Sequence, residues 1–277
     1  MKAPVYKAPP PIVAVYNWTG FYIGGNVGYS WGRARTDLTG TTRVQVFRTA
    51  GPDLVFDSGL IGAGLSNTAN VDGWIGGFQA GYNWQQGTWL LGLEADIQAS
   101  GQRGDQFLSF VIPAFVPGGG AAGATPATTV TIAAAHKLNW FGTVRGRLGV
   151  LPSDRFLLYV TGGLAYGELE SNYLVGLGAL GPVAVGSKTT KAGYVVGAGA
   201  EGALWGNWTA KAEYLYMDLG TFDVAGASAT TNLLNTPSAG FNTVTTFNAS
   251  ASTRFTDHIS RVGLNYHFYA PAVIAKY

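Results

Sequence analysis

Apolar and polar residues alternate along several stretches of this chain with a period of two residues. Successive side chains of a β-strand point to opposite faces of its sheet, so this period predicts strands. Eight stretches follow the pattern over about ten residues each, the length of a strand that crosses a bilayer. The first stretch places five apolar side chains on one face: Phe21, Ile23, Val27, Tyr29 and Trp31.

The connections between the eight stretches alternate between short and long. Tight turns are predicted near Gly87, Ser153 and Gly206. The long connections are residues 36–72, 99–136, 168–190 and 219–258. Short turns at one end and long loops at the other are typical of outer-membrane barrels. The sequence therefore predicts an all-β fold: an eight-stranded, antiparallel, up-and-down transmembrane β-barrel with four long extracellular loops.

Composition favours a barrel over a helical membrane protein. Charged residues make up 12% of the chain, about half the share in soluble domains. No run of about 20 apolar residues, the length of a membrane-spanning helix, is present. A closed barrel is the remaining way to pair every backbone polar group inside a bilayer.

Aromatic residues give a test of the strand assignment, because membrane barrels carry a ring of them at each interface. Outward positions near both ends of the predicted strands are aromatic, with Gly, Ala, Val and Leu mostly between them. The predicted girdle residues are Phe21, Trp31, Trp74, Trp84, Trp89, Trp140, Tyr166, Tyr194, Trp208, Tyr216 and Phe268.

The inward positions give a second test, because they hold charges of both signs. In the fourth stretch, Leu138, Trp140 and Val144 are predicted to face outward and Asn139 inward. Over the whole barrel the predicted inward charges balance: Glu94, Asp96, Arg145, Arg147, Glu201, Lys211, Glu213 and Arg261. An eight-stranded barrel is only wide enough for side chains to fill. We therefore expect a structural, salt-bridged plug; a narrow charged conduit is the alternative.

Two of the long connections are unusually apolar for segments that face water, which is typical of a contact surface. The candidate contact residues are Phe107, Leu108, Phe110, Val111, Ile112, Phe115, Val116, Leu174 and Leu177. The alternative is that these connections extend the barrel as hairpins and pack on each other.

Catalytic, metal and cofactor chemistry has little support in the sequence. Cysteine is absent, so disulfides and thiolate sites are excluded, and no acidic cluster has the spacing of a calcium loop. His136 and His258, with Asp257 beside the latter, are predicted near the outer rim, where a hydrolase would place such residues. We expect no enzyme, no cofactor and no metal. The net charge of +2 gives no indication of a nucleic-acid partner.

Three segments are predicted. Residues 1–17 form a proline-rich periplasmic segment, 18–268 the transmembrane barrel and 269–277 a periplasmic tail. Because a barrel must be exported and the first residues have no apolar core of a signal sequence, we expect that a signal peptide preceded them.

Four phrases of the sequence resemble a known family. They lie at residues 16–26, 76–84, 215–220 and 261–268, and read YNWTGFYIGGN, GGFQAGYNW, LYMDLG and RVGLNYHF. They resemble the alphaproteobacterial outer-membrane β-barrel family of outer membrane immunogenic, opacity-type and small porin-like proteins. The resemblance implies a location in the bacterial outer membrane, assembly by the barrel-assembly machinery, and a role in envelope integrity or surface interaction. It supplies no catalytic residues.

The expected function is therefore that of a structural and surface-interaction barrel. A small porin for passive diffusion is the alternative, and a rim-active hydrolase is a third. The expected partners are outer-membrane lipid and lipopolysaccharide, the barrel-assembly machinery, and a second copy or another protein bound through the apolar loops. We expect no nucleic-acid partner.

Overall fold

The computed structural model describes residues 16–48, 54–57, 61–112, 128–177, 180–233 and 241–269. These residues form nine strands: β1 Gly20–Arg48, β2 Leu54–Asp57, β3 Ile61–Gln86, β4 Trp89–Ile112, β5 Thr128–Ser153, β6 Phe156–Leu177, β7 Leu180–Ala203, β8 Trp208–Leu233 and β9 Phe241–Tyr269. The described residues contain no helix that is long and apolar enough to span a bilayer.

Eight of the strands close into a ring of antiparallel neighbours. Each long strand pairs with the next along the chain, and β1 also pairs with β9, so that Phe21 lies opposite Phe268. The remaining strand, β2, is four residues long and pairs only with residues 45–47 of β1. The predicted eight-stranded up-and-down barrel is confirmed, and β2 is an addition within the first long connection.

Tight turns join the strands at one end of the barrel. Gly87 and Gly206 lie in two of these turns with φ values of 63° and 54°, a left-handed conformation that glycine adopts without strain. The third turn follows Ser153. We call this the short-turn end, and the opposite end the long-connection end.

The middle of the wall is apolar on its outer face and flanked by aromatic rings. All eleven predicted girdle residues lie on this face; eight are exposed, and Trp140, Tyr166 and Tyr216 are partly buried. On β1 the two rings are marked by Phe21 and Trp31. These two residues delimit eleven positions, which is the length a tilted strand needs to cross the hydrocarbon core.

The predicted orientation of Leu138 is wrong. Its side chain lies inside the barrel and is fully buried. The pairing of β5 with β6 shifts between Leu138 and Trp140, which makes Asn139 an extra, bulged residue. A one-residue bulge reverses the faces of all positions beyond it. Asn139 does not simply face inward: its amide donates hydrogen bonds to Glu168 and Glu170 on β6.

Most described residues of the four long connections are strand. β1, for example, continues 17 residues beyond Trp31 to Arg48, about 55 Å along the strand. We call the part beyond the outer aromatic ring the outer extension. In it, β3 and β4 stop pairing above Asp72 and Arg103, and β7 and β8 stop above Tyr194 and Asp218.

The outer extension therefore consists of two sheets with four long strands each, and β2 adds a short fifth strand to the sheet that contains β1. One has the order β3-β1-β9-β8 and the other β4-β5-β6-β7. Their inner faces meet through buried apolar side chains, among them Val71, Ile132 and Phe255. The hydroxyl groups of Tyr173 and Thr253 also form a 3.0 Å hydrogen bond from one sheet to the other.

Candidate functional site in the barrel interior

The predicted inward charges lie on the inner face of the barrel, opposite to its apolar outer face. All eight predicted inward charges are buried, and every side chain in the ion pairs among them is fully shielded from solvent. They come from β4, β5, β7, β8 and β9. Closure of the ring therefore brings together side chains that are more than 100 positions apart in sequence, such as those of Glu94 and Lys211.

Arg145 joins three carboxylates from two different strands. Its guanidinium is paired closely with Glu94, lies 3.0 Å from Oδ2 of Asp96, and donates from Nη1 to Oε1 of Glu213 at 2.8 Å. Charge-assisted contacts of this kind are stronger than neutral hydrogen bonds. Arg145 therefore fixes β5 against β4 and, across the lumen, against β8.

Lys211 and Arg261 bind the same carboxylates from the other side. Lys211 Nζ donates to Glu94 Oε1 at 2.9 Å. Arg261 lies 2.8 Å from Asp96 and 2.7 Å from Glu213. Because each carboxylate has several cationic neighbours, the cluster is a network and not a set of separate pairs.

Arg147 extends the network toward the short-turn end. It lies 2.7 Å from Glu201 and donates to the Tyr22 hydroxyl at 2.8 Å, and that hydroxyl donates in turn to Glu94 at 2.7 Å. Its guanidinium also lies 4.0 Å from the ring centroid of Tyr159, a cation–π distance. The rings of Tyr22 and Tyr159 therefore border the charged layer on the side of the short-turn end.

The short-turn end is closed by the segment that precedes β1. Trp18 is fully buried in the mouth of the barrel. Its backbone N–H donates to the Gln85 side chain and its indole N–H donates to the Asp154 carbonyl, both at 2.9 Å. The ring packs edge-on against His267 and Tyr16, with centroids 5.7 and 5.0 Å away. Beneath the charges lies an apolar cluster: Trp18, Leu90, Leu151, Leu157 and Tyr159.

Sequence reasoning missed this closure. Trp18 precedes the first alternating stretch, so the period of two could not assign its side chain to the inner or the outer face. The available signal was Tyr16–Trp18 itself, two aromatic residues directly before a strand at the short-turn end of a narrow barrel.

A second apolar layer lies on the other side of the charges. It contains Leu138, Phe141, Leu215, Met217 and Ile259, all fully buried and drawn from three strands. Within this layer, opposite Met217 and beyond Ile259 as seen from Arg261, Asp257 is buried and is paired with Ser30 and, at 2.9 Å, with the Gln102 amide. The described lumen thus contains apolar, charged and apolar layers in succession.

The two rim histidines lie on opposite faces of the wall. His136 is buried inside the outer extension, 2.9 Å from the Ser171 hydroxyl. His258 lies on the outer face, where Nδ1 is 2.7 Å from the Tyr214 hydroxyl. Asp257 points inward, away from His258. These three residues do not share a site.

The predicted contact residues do not all lie on the same face of the strands. Phe107, Val111 and Leu174 are exposed on the outer face of the outer extension. The prediction for Leu108 is wrong, because it packs against the interior apolar cluster. Phe115 and Val116 lie outside the described residues, as do the side chains of Phe110, Ile112 and Leu177.

A family model described as the outer membrane protein beta-barrel domain matches residues 8–268. The chain belongs to this family. It is 36% identical to the 31 kDa outer-membrane immunogenic protein of Brucella melitensis over 257 residues, which cover 92% of this chain and 86% of that protein. It is 29% identical to the 22 kDa outer membrane protein of Rhizobium leguminosarum bv. viciae over 208 residues, covering 75% and 67%.

Among solved structures, the chain is similar to the outer membrane protein OprG from Pseudomonas aeruginosa. It matches 91% of this chain and 99% of its own, with 14% identity and a TM-score of 0.36. The predicted family and the location in the bacterial outer membrane are confirmed. In outer-membrane barrels an apolar outer band meets lipid and the short turns face the periplasm.

Proposed function

We propose that this protein is a closed, non-catalytic envelope barrel that holds a rigid β-structured extension above the outer membrane for contacts at the cell surface. The observation that carries the proposal is the filled lumen. Trp18 closes the periplasmic mouth, the network around Arg145 fills the middle, and Phe141 belongs to the apolar layer above. An eight-stranded barrel leaves no further width for a water-filled channel.

The outer extension supports the surface role. Its two sheets are hydrogen-bonded β-structure with a common apolar interior, so they hold their outer faces in fixed positions. Exposed apolar side chains on one sheet, Phe107, Val111 and Leu174, offer contact area outside the lipid-facing band. The names of the relatives as immunogenic outer-membrane proteins agree with exposure at the cell surface.

A planar-bilayer conductance measurement tests the closed lumen. We expect the purified barrel to give no stable single-channel steps, because every path along the lumen crosses two apolar layers and a desolvated charge network. Heat-modifiable gel migration of the same sample verifies that the barrel is folded. Regular, reproducible conductance steps from folded protein would show that the lumen is open and that the protein is a small diffusion pore.

A further inference from the structure

The division of the outer extension into two sheets leaves strand edges that have no partner among the described residues. Below the division every strand is paired on both sides. Above it, β3, β4, β7 and β8 each pair on one side only. An unpaired edge presents a row of backbone N–H and C=O groups, which is a template for another β-strand.

The free edge of β3 can be located to individual residues. The Thr68 N–H donates to the side chain of Asn67 at 2.8 Å and so is not used in the ladder with β1. The Asn70 carbonyl points to the β4 side, since a Cβ on Gly104 would lie 2.1 Å from it. The Val71 carbonyl points the other way, toward Gly32 on β1. Even-numbered residues of this segment therefore direct their backbone groups to the free edge.

The free edge of β3 lacks the features that usually prevent strand addition. Residues 61–71 include no charged residue and no proline. The free edge of β7, in contrast, has Pro182, Lys188 and Lys191. Charges, above all lysine, and proline are the common means by which proteins block an exposed edge. Of these two edges, β3 is therefore the one whose sequence permits strand addition.

We propose that the free edge of β3, from Ile61 to Ala69, binds an extended polypeptide segment of a partner protein by strand addition. The inference rests on the proposed surface role and names the kind of partner. Alternating donors and acceptors spaced two residues apart match the backbone of a β-strand. The exposed side chains next to the edge are small and polar, as at Ser66 and Thr68. The main chain therefore supplies most of the affinity, and the sequence of the partner supplies little.

A synthetic ten-residue peptide of alternating Thr and Val is a suitable probe, with the full-length protein in lipid nanodiscs. The matched control is the same peptide methylated at every backbone nitrogen, which keeps the side chains and removes the donors along both edges. Hydrogen exchange followed by mass spectrometry reads the result. We expect slower exchange in the segment that contains Gly64, Ser66 and Thr68 with the first peptide only, and no change along residues 180–193 of β7.

A proline substitution tests the edge from the side of the protein. Thr68→Pro removes one edge N–H and leaves the ladder with β1 intact, because that N–H does not take part in it. In the unchanged protein the Thr68 N–H exchanges its bond to Asn67 for one to the added strand. Because the net gain from that exchange is small, we expect the peptide to bind about threefold more weakly to the proline variant. Thr68→Ser keeps the N–H and should bind as the unchanged protein does. If Thr68→Pro does not fold on a heat-modifiability gel, Gly64→Pro removes another edge donor.

Equal binding of the methylated peptide would overturn the proposal, as would unchanged affinity in a folded proline variant. The absence of any slowed exchange along residues 61–69 would overturn it too. These results are separate from the test of the closed lumen. Conductance steps would change the assigned function of the interior and leave the edge of β3 where it is.

Discussion

Glu94 is the residue on which most of the buried cations converge. Arg145 and Lys211 contact its carboxylate directly, and Arg147 and Arg261 approach to 3.5 and 3.6 Å. Such a group is stable in the lumen only because its neighbours replace the water it has lost. The stability of the barrel should therefore depend on this one side chain more than on any exposed charge.

We expect Glu94→Gln to lower the free energy of unfolding by about 3–5 kcal/mol, because it leaves buried cations without their counter-ion. Urea titration in lipid vesicles, followed by tryptophan fluorescence, measures the change. Lys188→Gln is the matched control, since Lys188 lies 3.1 Å from Glu168 but is 60% exposed, and exposed pairs add little. If the two variants lose equal stability, the buried network does not stabilise the barrel.

His136 gives the outer extension a pH dependence. It lies four positions beyond Trp140 and therefore outside the membrane-spanning part of β5. Burial lowers the pKa of His136 to about 4, and Asp105 opposes this only in part. The unfolded state, with a pKa of about 6.5, takes up the proton first as the pH falls. Stability is unaffected above about pH 6.5 and decreases between there and about pH 4.

The expected loss from this histidine is roughly 3 kcal/mol at the acid end of that range. His136→Gln removes the titration and keeps a polar group near Ser171. Comparing urea unfolding of both proteins between pH 7 and pH 4 isolates the contribution, because all other titrating groups are common to them. Identical pH profiles would show that His136 is not held neutral.

Leu138 shows where the period of two fails to predict the orientation of a single side chain. Its neighbour Trp140 follows the alternation correctly, and nothing in the local sequence indicates the extra residue at Asn139. A bulge depends on the register between two strands, here β5 and β6. Its position is set by pairing and is not visible in either strand alone.

At the scale of strands, the membrane-spanning part of each element was predictable and the outer extension was not. Lipid on one side and a polar lumen on the other require strict alternation, as around Phe21 and Trp31. Beyond the outer aromatic ring, the strands have water on one side and a small apolar interior on the other. Small residues such as Ala34 and Ala69 are therefore sufficient at inward positions. The contrast between faces becomes weak there, although the backbone pairing continues.

The division into two sheets was likewise not predictable from sequence. Each of the four strands at the division keeps one partner, so its own composition is that of an ordinary strand. What changes is the distance to the other neighbour, which depends on the packing between sheets around Phe255 and Val71. Only the assembled extension shows which edges are free.

At the scale of the whole molecule, Tyr16 and Trp18, directly before β1, pack into the base of the barrel. The inward charges were predictable as a set, because a charge on the lipid side is costly. Their pairing and the position of Trp18 were not, since both depend on which residues meet across the ring. The base can be probed cleanly because the chain has no native cysteine.

Thr209→Cys places a thiol on β8 at a fully buried position beside Glu201. We expect it to resist a charged, membrane-impermeant thiol reagent in the otherwise unchanged protein, and to react when Trp18→Ala is added, because the indole no longer fills the mouth. Trp205→Cys in the exposed turn should react in both backgrounds. Equal shielding of Thr209→Cys in both would show that Trp18 does not close the base.

The contact between Trp18 and His267 joins the segment before β1 to β9, the strand that closes the ring. His267 belongs to β9, so Trp18 finds this partner only when β9 has joined the ring. A barrel without that strand would hold Trp18 only through its hydrogen bonds to Gln85 and Asp154, and would leave the His267 side of the indole open to water. Full burial of the Trp18 indole therefore depends on a completed ring.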